Sequence, residues 1–179
     1  MGNVSVSPDG KQIAYTVTYY SIPENRGNAD LYIMDADGTN KKQLTRTAAS
    51  ESAVAWKPDG KAIAYLREGK LWNIAPDGSA EKQVSDIEQS IEGFLYAPAG
   101  DKILLVIPTK IEKCMNGDLY EDLDKAKAYI YDDLMYRHWD TWKDGSYNHL
   151  YLGDVKGDKV KTIEDIMPGE PFDSPVKPF

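Results

Sequence analysis

Residues 52–85 read SAVAWKPDGKAIAYLREGKLWNIAPDGSAEKQVS. Three apolar runs, Ala53–Trp56, Ala62–Leu66 and Leu71–Ala75, each end in a turn: Lys57-Pro58-Asp59-Gly60, Arg67-Glu68-Gly69 and Pro76-Asp77-Gly78. A more polar run, Glu81–Val84, follows. Short runs rich in Val, Ile, Tyr and Trp, punctuated by Pro, Asp and Gly, predict strands in a meander. A four-stranded meander is the unit of a β-propeller blade.

The unit repeats on both sides. Ser7-Pro8-Asp9-Gly10 precedes Gln12-Ile13-Ala14-Tyr15, and Ala97-Pro98-Ala99-Gly100 precedes Lys102-Ile103-Leu104-Leu105. Pro8, Pro58 and Pro98 stand 50 and 40 residues apart. A second turn recurs in phase, Asp35-Ala36-Asp37-Gly38 and Ala75-Pro76-Asp77-Gly78, after Leu31-Tyr32-Ile33-Met34 and Leu71-Trp72-Asn73-Ile74. A single Pro-Asp-Gly is an ordinary turn. Two turns recurring in phase, at a period near ~40 residues, specify blades. The fold class expected is all-β, a partial propeller of about three four-stranded blades. Blade 1 is expected over residues 3–45, blade 2 over 52–85, and blade 3 over 91–163 with an insertion at 108–127. Residues 164–179 are expected as a linker or the start of a fourth blade.

The 179 residues are 41% hydrophobic and carry a formal charge of −8. An acidic chain without a Lys/Arg cluster disfavours nucleic acid and anionic membranes as partners. No run of about 18 apolar residues predicts a transmembrane helix. The first residues show no signal peptide, and the compartment, periplasm or cytoplasm, stays open. Cys114 is the single cysteine, so no intramolecular disulfide is expected. Propellers close with about four to eight blades. Three blades therefore predict a piece of a larger protein, with two open blade faces and possible self-association through them.

Outside the blades, Tyr20–Ala29 is expected as a loop in blade 1, either simply solvated or facing substrate through Glu24 or Arg26. Asp122–Tyr129 is a candidate short helix. The carboxylates Asp118, Glu121, Asp122 and Asp124 lack the alternating ligands and central glycine of a calcium loop. His138 and His149 do not make a zinc site. No cofactor is expected. Tyr136-Arg137-His138-Trp139-Asp140-Thr141-Trp142 concentrates rings, a cation, an imidazole and a carboxylate. One reading fills the space between blades with the tryptophans and pairs Arg137 with Asp140. The other makes the segment a ligand surface, with Arg137 gripping a carboxylate or carbonyl.

That segment, continued through Asp144-Gly145 to His149-Leu150, resembles a stretch in the propellers of prolyl-oligopeptidase-family serine peptidases. It is most similar to the dipeptidyl and acylaminoacyl aminopeptidases, including the dipeptidyl peptidase 5-like group. The Pro-Asp-Gly-Lys turns and Leu31-Tyr32-Ile33-Met34-Asp35-Ala36-Asp37-Gly38 look like theirs as well. The resemblance covers nearly the whole chain. It implies a parent serine peptidase whose carboxyl-terminal α/β-hydrolase domain carries the Gly-x-Ser-x-Gly nucleophile turn, which this sequence lacks. It further implies a propeller that gates short-peptide access, but it carries no role over to any one residue. From the residues themselves, Glu24, Arg26, Arg137, His138, Trp139, Asp140 and Trp142 are the candidates for substrate gating or packing. No catalytic residue is assigned here, and the chain alone is expected to be inactive. The alternative is a TolB-like binding propeller with a protein or cell-envelope partner and no chemistry.

Overall fold

The computed structural model describes residues 3–120, 122, 125, 127–134 and 136–175, with positions 138 and 162 in backbone only. Three four-stranded antiparallel sheets follow one another along the chain. The first contains β1 (Val4–Val6), β2 (Gln12–Ser21), β3 (Arg26–Asp35) and β4 (Lys42–Gln43). The second contains β5 (Glu51–Trp56), β6 (Ile63–Arg67), β7 (Lys70–Ile74) and β8 (Lys82–Gln83). The third contains β9 (Gly93–Tyr96) and β10 (Lys102–Lys110). It is completed, beyond the short helix α1 (Asn116–Leu119) and the strands β11 (Arg137–His138) and β12 (Thr141–Trp142), by β13 (Ser146–Lys156) and β14 (Lys159–Asp165). The chain is a partial β-propeller.

Local chemistry makes the turns. In the first, Ser7 Oγ donates to Asp9 Oδ1 at 2.7 Å, and the same oxygen accepts from Lys11 N at 3.1 Å. In the second, Asp59 Oδ1 accepts from Lys61 N at 3.0 Å. The third has Ala99 instead and keeps only the backbone bond, Gly100 N to Ala97 O at 2.8 Å. The turn glycines Gly10, Gly60 and Gly100 have φ of 73°, 68° and 74°, the region glycine enters without a Cβ penalty. The turns also stack between blades. A Cβ on Gly60 would sit 3.8 Å from Pro8, and one on Gly100 would sit 3.8 Å from Pro58. The repeated prolines thus pack blade to blade.

Two apolar cores lie between the sheets. Ala14, Leu31 and Ile33 of blade 1 meet Val54, Trp56, Ile63, Tyr65 and Ile74 of blade 2. Ala64, Leu66, Leu71 and Val84 meet Ile103, Leu105 and Ile107 of blade 3. Alternation along each strand sends neighbouring side chains to opposite cores, so blade 2 is covered on both faces. The outer blades are not. Val4 and Val6 are 55% and 56% exposed, whereas Val54 and Trp56, at the same places in blade 2, are 7% and 8% exposed.

Several strands reach further than the sequence patterns suggest. Tyr20–Ala29 is not a loop. β2 and β3 pair continuously from Gln12↔Asp35 to Ser21↔Arg26. Only residues 22–25 turn. Thr, Val and Tyr continue the strand, and the ring of Tyr20 covers Gly27. Pro108 belongs to β10, opposite Asn148. Asn148 sends its own N–H to Asp173 Oδ1 and accepts from Ser174 N, so the pair needs no N–H from proline. The segment outside the third sheet therefore runs from 111 to 145. Among its described residues the α-helix is α1, whereas Tyr129, at the end of the expected helix, forms an antiparallel bridge to Met115. Positions 123, 124 and 126 of the expected helix, and 121 and 135 elsewhere in the segment, lie outside the described residues. Residues 166–175 form no strand but run beside the start of β13, and 176–179 lie outside the described residues.

Candidate functional site

The segment 111–145 is closed at its neck by backbone. Ile111 N and Glu112 N both donate to Gly145 O, at 2.9 and 3.0 Å. Gly145 has φ 82°, and a Cβ there would lie 2.1 Å from Glu112 O. Only glycine fits. Inside the neck Cys114 is buried, its thiol donating to Lys143 O at 3.6 Å, and burial pushes its pKa up. This is the surrounding of a structural thiol. Lys110 pairs with Asp118 at 2.8 Å, and Lys143 with Glu112 at 3.3 Å.

Four rings gather above this base. Trp142 stacks with Tyr129 at 6.1 Å and with Tyr136 at 5.8 Å between centroids. Tyr131 lies 5.8 Å from both Tyr129 and Tyr136, and its hydroxyl donates to Lys143 O at 2.5 Å. β11 and β12 pair Arg137 with Trp142 and His138 with Thr141. That register puts the Arg137 guanidinium 5.4 Å over the Trp142 ring, a cation–π contact. Trp139 and Asp140 make the turn between the two strands, Trp139 at φ 53°. Leu134, Tyr136, Arg137, Trp139 and Trp142 line an open cleft of about 550 Å³.

Within this chain the described side chains of 136–142 lie at the surface. Trp139 is 82% exposed and Trp142 44%, and neither enters an inter-blade core. Arg137 and Asp140 do not form an ion pair; Asp140 accepts from the Thr141 hydroxyl at 3.4 Å. The His138 side chain lies outside the described residues. Glu24 and Arg26, at the β2–β3 turn, pair with each other at 3.0 Å and are not among the described residues lining the cleft. Leu134, Tyr129 and Tyr131 join the cluster although the sequence did not single them out. The alternation of Tyr129 and Tyr131 was the available signal.

His149 does not reach the cleft. It is fully buried in β13, with Nδ1 2.8 Å from Asp165 Oδ2 and Nε2 2.8 Å from Glu170 O. Burial opposes charge on the ring, but the bonds to Asp165 and to the Glu170 carbonyl outweigh it and raise its pKa. Both nitrogens face acceptors, an arrangement satisfied by the imidazolium.

Comparison with known proteins now bears on this geometry. No family model matches the chain. The dipeptidyl-peptidase 5 of Porphyromonas gingivalis is 38% identical to it over 183 residues, across 100% of this chain and 26% of that protein. Along its whole length the chain is a relative of dipeptidyl-peptidase 5. It spans about a quarter of the length of the curated relatives it matches. Among solved structures, the acylaminoacyl peptidase of Pyrococcus horikoshii superposes with a TM-score of 0.66 at 18% identity, over 92% of this chain and 24% of that one. TolB of Acinetobacter baumannii gives 0.54 at 19% identity, over 92% of this chain and 32% of that one. These two likenesses establish the propeller fold. The similarity to dipeptidyl-peptidase 5 agrees with the family that the Tyr136–Leu150 stretch resembles.

Proposed function

We propose that the chain is the propeller part of a serine dipeptidyl peptidase and that its blade 3 insertion meets short peptides on their way to a hydrolase domain elsewhere in the longer protein. The observation that carries this is the exposed ring cluster with Arg137, outside every blade core. Loops on rigid propeller sheets are where such proteins place recognition. The relatives named dipeptidyl-peptidase 5 support the peptidase context. The TolB likeness supports the fold alone.

The bond cleavage is assigned to the hydrolase domain. Acyl transfer needs a nucleophile, its base and oxyanion donors in one place. In this chain His149 is committed to Asp165 and Glu170 and lies away from the cleft. The chain alone accordingly leaves dipeptidyl chromogenic substrates intact.

The test uses the longer protein. Arg137→Ala and Trp139→Ala should each lower kcat/KM for short peptides while melting remains unchanged. Unaltered kinetics in both well-folded variants would remove the insertion from the peptide path.

A further inference from the structure

We propose that the cleft between Arg137 and Trp139 binds the carboxylate end of a short peptide whose last side chain is bulky and apolar. The proposal rests on the reading that this cluster meets peptides, and adds which end of the peptide and which side chain it takes.

Charge selects the end. The segment 129–145 carries Asp132, Asp133, Asp140 and Asp144, and the whole chain has a net charge of −8. Yet among the described residues no carboxylate pairs with Arg137, whose contact is the Trp142 ring. Asp144 instead accepts from Ser146 N at 2.9 Å. A guanidinium stacked on an indole keeps its edge N–H groups for a planar anion, which it grips with two parallel bonds. Among the described residues none of the five that line the cleft is acidic, so a peptide amino terminus finds no counter-charge among them.

Shape selects the side chain. Leu134, Tyr136, Trp139 and Trp142 give apolar walls, and about 550 Å³ accommodates one large side chain and its backbone. Arg137 and Trp142 are directly opposed across the β11–β12 pair. Such partners lie within about 5 Å of each other, side chains on one face. The anion and the apolar group they hold must therefore be close neighbours. An α-carboxylate and the side chain of the same residue meet this demand. A Glu or Asp side chain next to a separate apolar residue spans a longer distance.

The experiment follows the indole N–H signals of the chain by two-dimensional NMR. Four tryptophans are present, and Trp56 and Trp72, in blade 2, act as internal controls. The probes are acetyl-Gly-Phe with a free carboxylate, the same peptide as its amide, acetyl-Gly-Gly with a free carboxylate, and acetyl-Glu-Phe amide. The free acid of acetyl-Gly-Phe should shift Trp139 and Trp142 and bind about fivefold more tightly than its amide, the gain of one exposed charged pair. Acetyl-Gly-Gly should bind more weakly than acetyl-Gly-Phe. Arg137→Ala should make acid and amide equal, and Arg137→Lys should restore part of the preference. Equal affinity of acid and amide for the unmodified chain overturns the proposal and leaves the broader peptide reading standing. So does acetyl-Glu-Phe amide binding as well as the free acid, or an acid preference that survives Arg137→Ala. If no peptide moves either indole, both readings fall.

Discussion

Glu51 accepts a hydrogen bond from Arg67 Nε at 2.8 Å, and the Glu51 side chain is wholly buried. The two residues face each other across β5 and β6 of blade 2. Thr45 and Thr47, in the connection leaving blade 1, donate to the two oxygens of Glu51 at 2.7 and 3.0 Å. Arg67 also bonds Glu81 at 2.6 Å and lies 4.8 Å over the Trp72 ring. Removing one charge leaves the other stranded in the interior. Arg67→Met should therefore destabilise the chain by about 3–5 kcal/mol. The double variant Glu51→Leu/Arg67→Met should recover much of that loss, since no fully buried charge is left unpaired and Glu81, which also loses Arg67, is 36% exposed. Urea unfolding of both variants measures it, and a loss below about 1 kcal/mol for Arg67→Met would place the pair with ordinary surface bridges.

His149 makes the stability of the tail depend on pH. Its pKa is raised in the fold, because the bonds to Asp165 and the Glu170 carbonyl outweigh burial. A raised pKa means that the folded state binds the proton more tightly than the unfolded one. The contribution is complete below the unfolded pKa and disappears as pH rises through the folded one. Residues 166–174, which send Ile166 N to Leu150 O and Ser174 N to Asn148 O, should exchange their amides faster as that pH is passed. Imidazole NMR shifts followed against pH give the folded pKa directly. His149→Gln should flatten the pH dependence of tail exchange, and tail protection independent of pH in the unmodified chain would refute the coupling.

Gly145 controls the neck of the insertion. A Cβ there meets Glu112 O at 2.1 Å, in backbone rather than in a yielding side chain, and φ is 82°. Gly145→Ala should cost at least about 1–3 kcal/mol in local strain. The damage should concentrate in the insertion: near-UV circular dichroism from the stacked rings falls and proteolysis within 111–145 rises, while the β-sheet signal persists. An unchanged near-UV spectrum would show that the neck yields.

The open faces predict association. Val4 and Val6 are more than half exposed at positions whose counterparts in blade 2 are buried, and Leu95 on blade 3 is 68% exposed. Apolar surface taken from water yields about 25 cal/mol per Å². The chain should therefore self-associate in sedimentation equilibrium at high concentration, and Val4→Lys with Val6→Lys should weaken that association. A monomer at every concentration would contradict this prediction.

The repeated turns made the fold legible. Pro8, Pro58 and Pro98, with the Asp and Gly that follow two of them, act through bonds that span five residues or fewer, as Gln12 N to Ser7 Oγ does. Such information is local, so the sequence alone determines the repeating four-stranded units and their order along the chain. Local information also misled. Pro23, Glu24 and Asn25 have loop composition, yet Tyr20↔Gly27 and Ser21↔Arg26 are paired, because a strand ends where its partner does. The site depended on distance in the chain. Tyr129, Tyr131, Tyr136 and Trp142 cluster within residues 129–142 of a segment whose ends meet at Glu112 and Gly145. His149 found its acceptors 16 and 21 residues away. Turns and alternation are written in neighbouring residues, whereas which rings stack, which Arg lies over a Trp and which His is held between two acceptors are set by packing between segments that only the tertiary structure brings together.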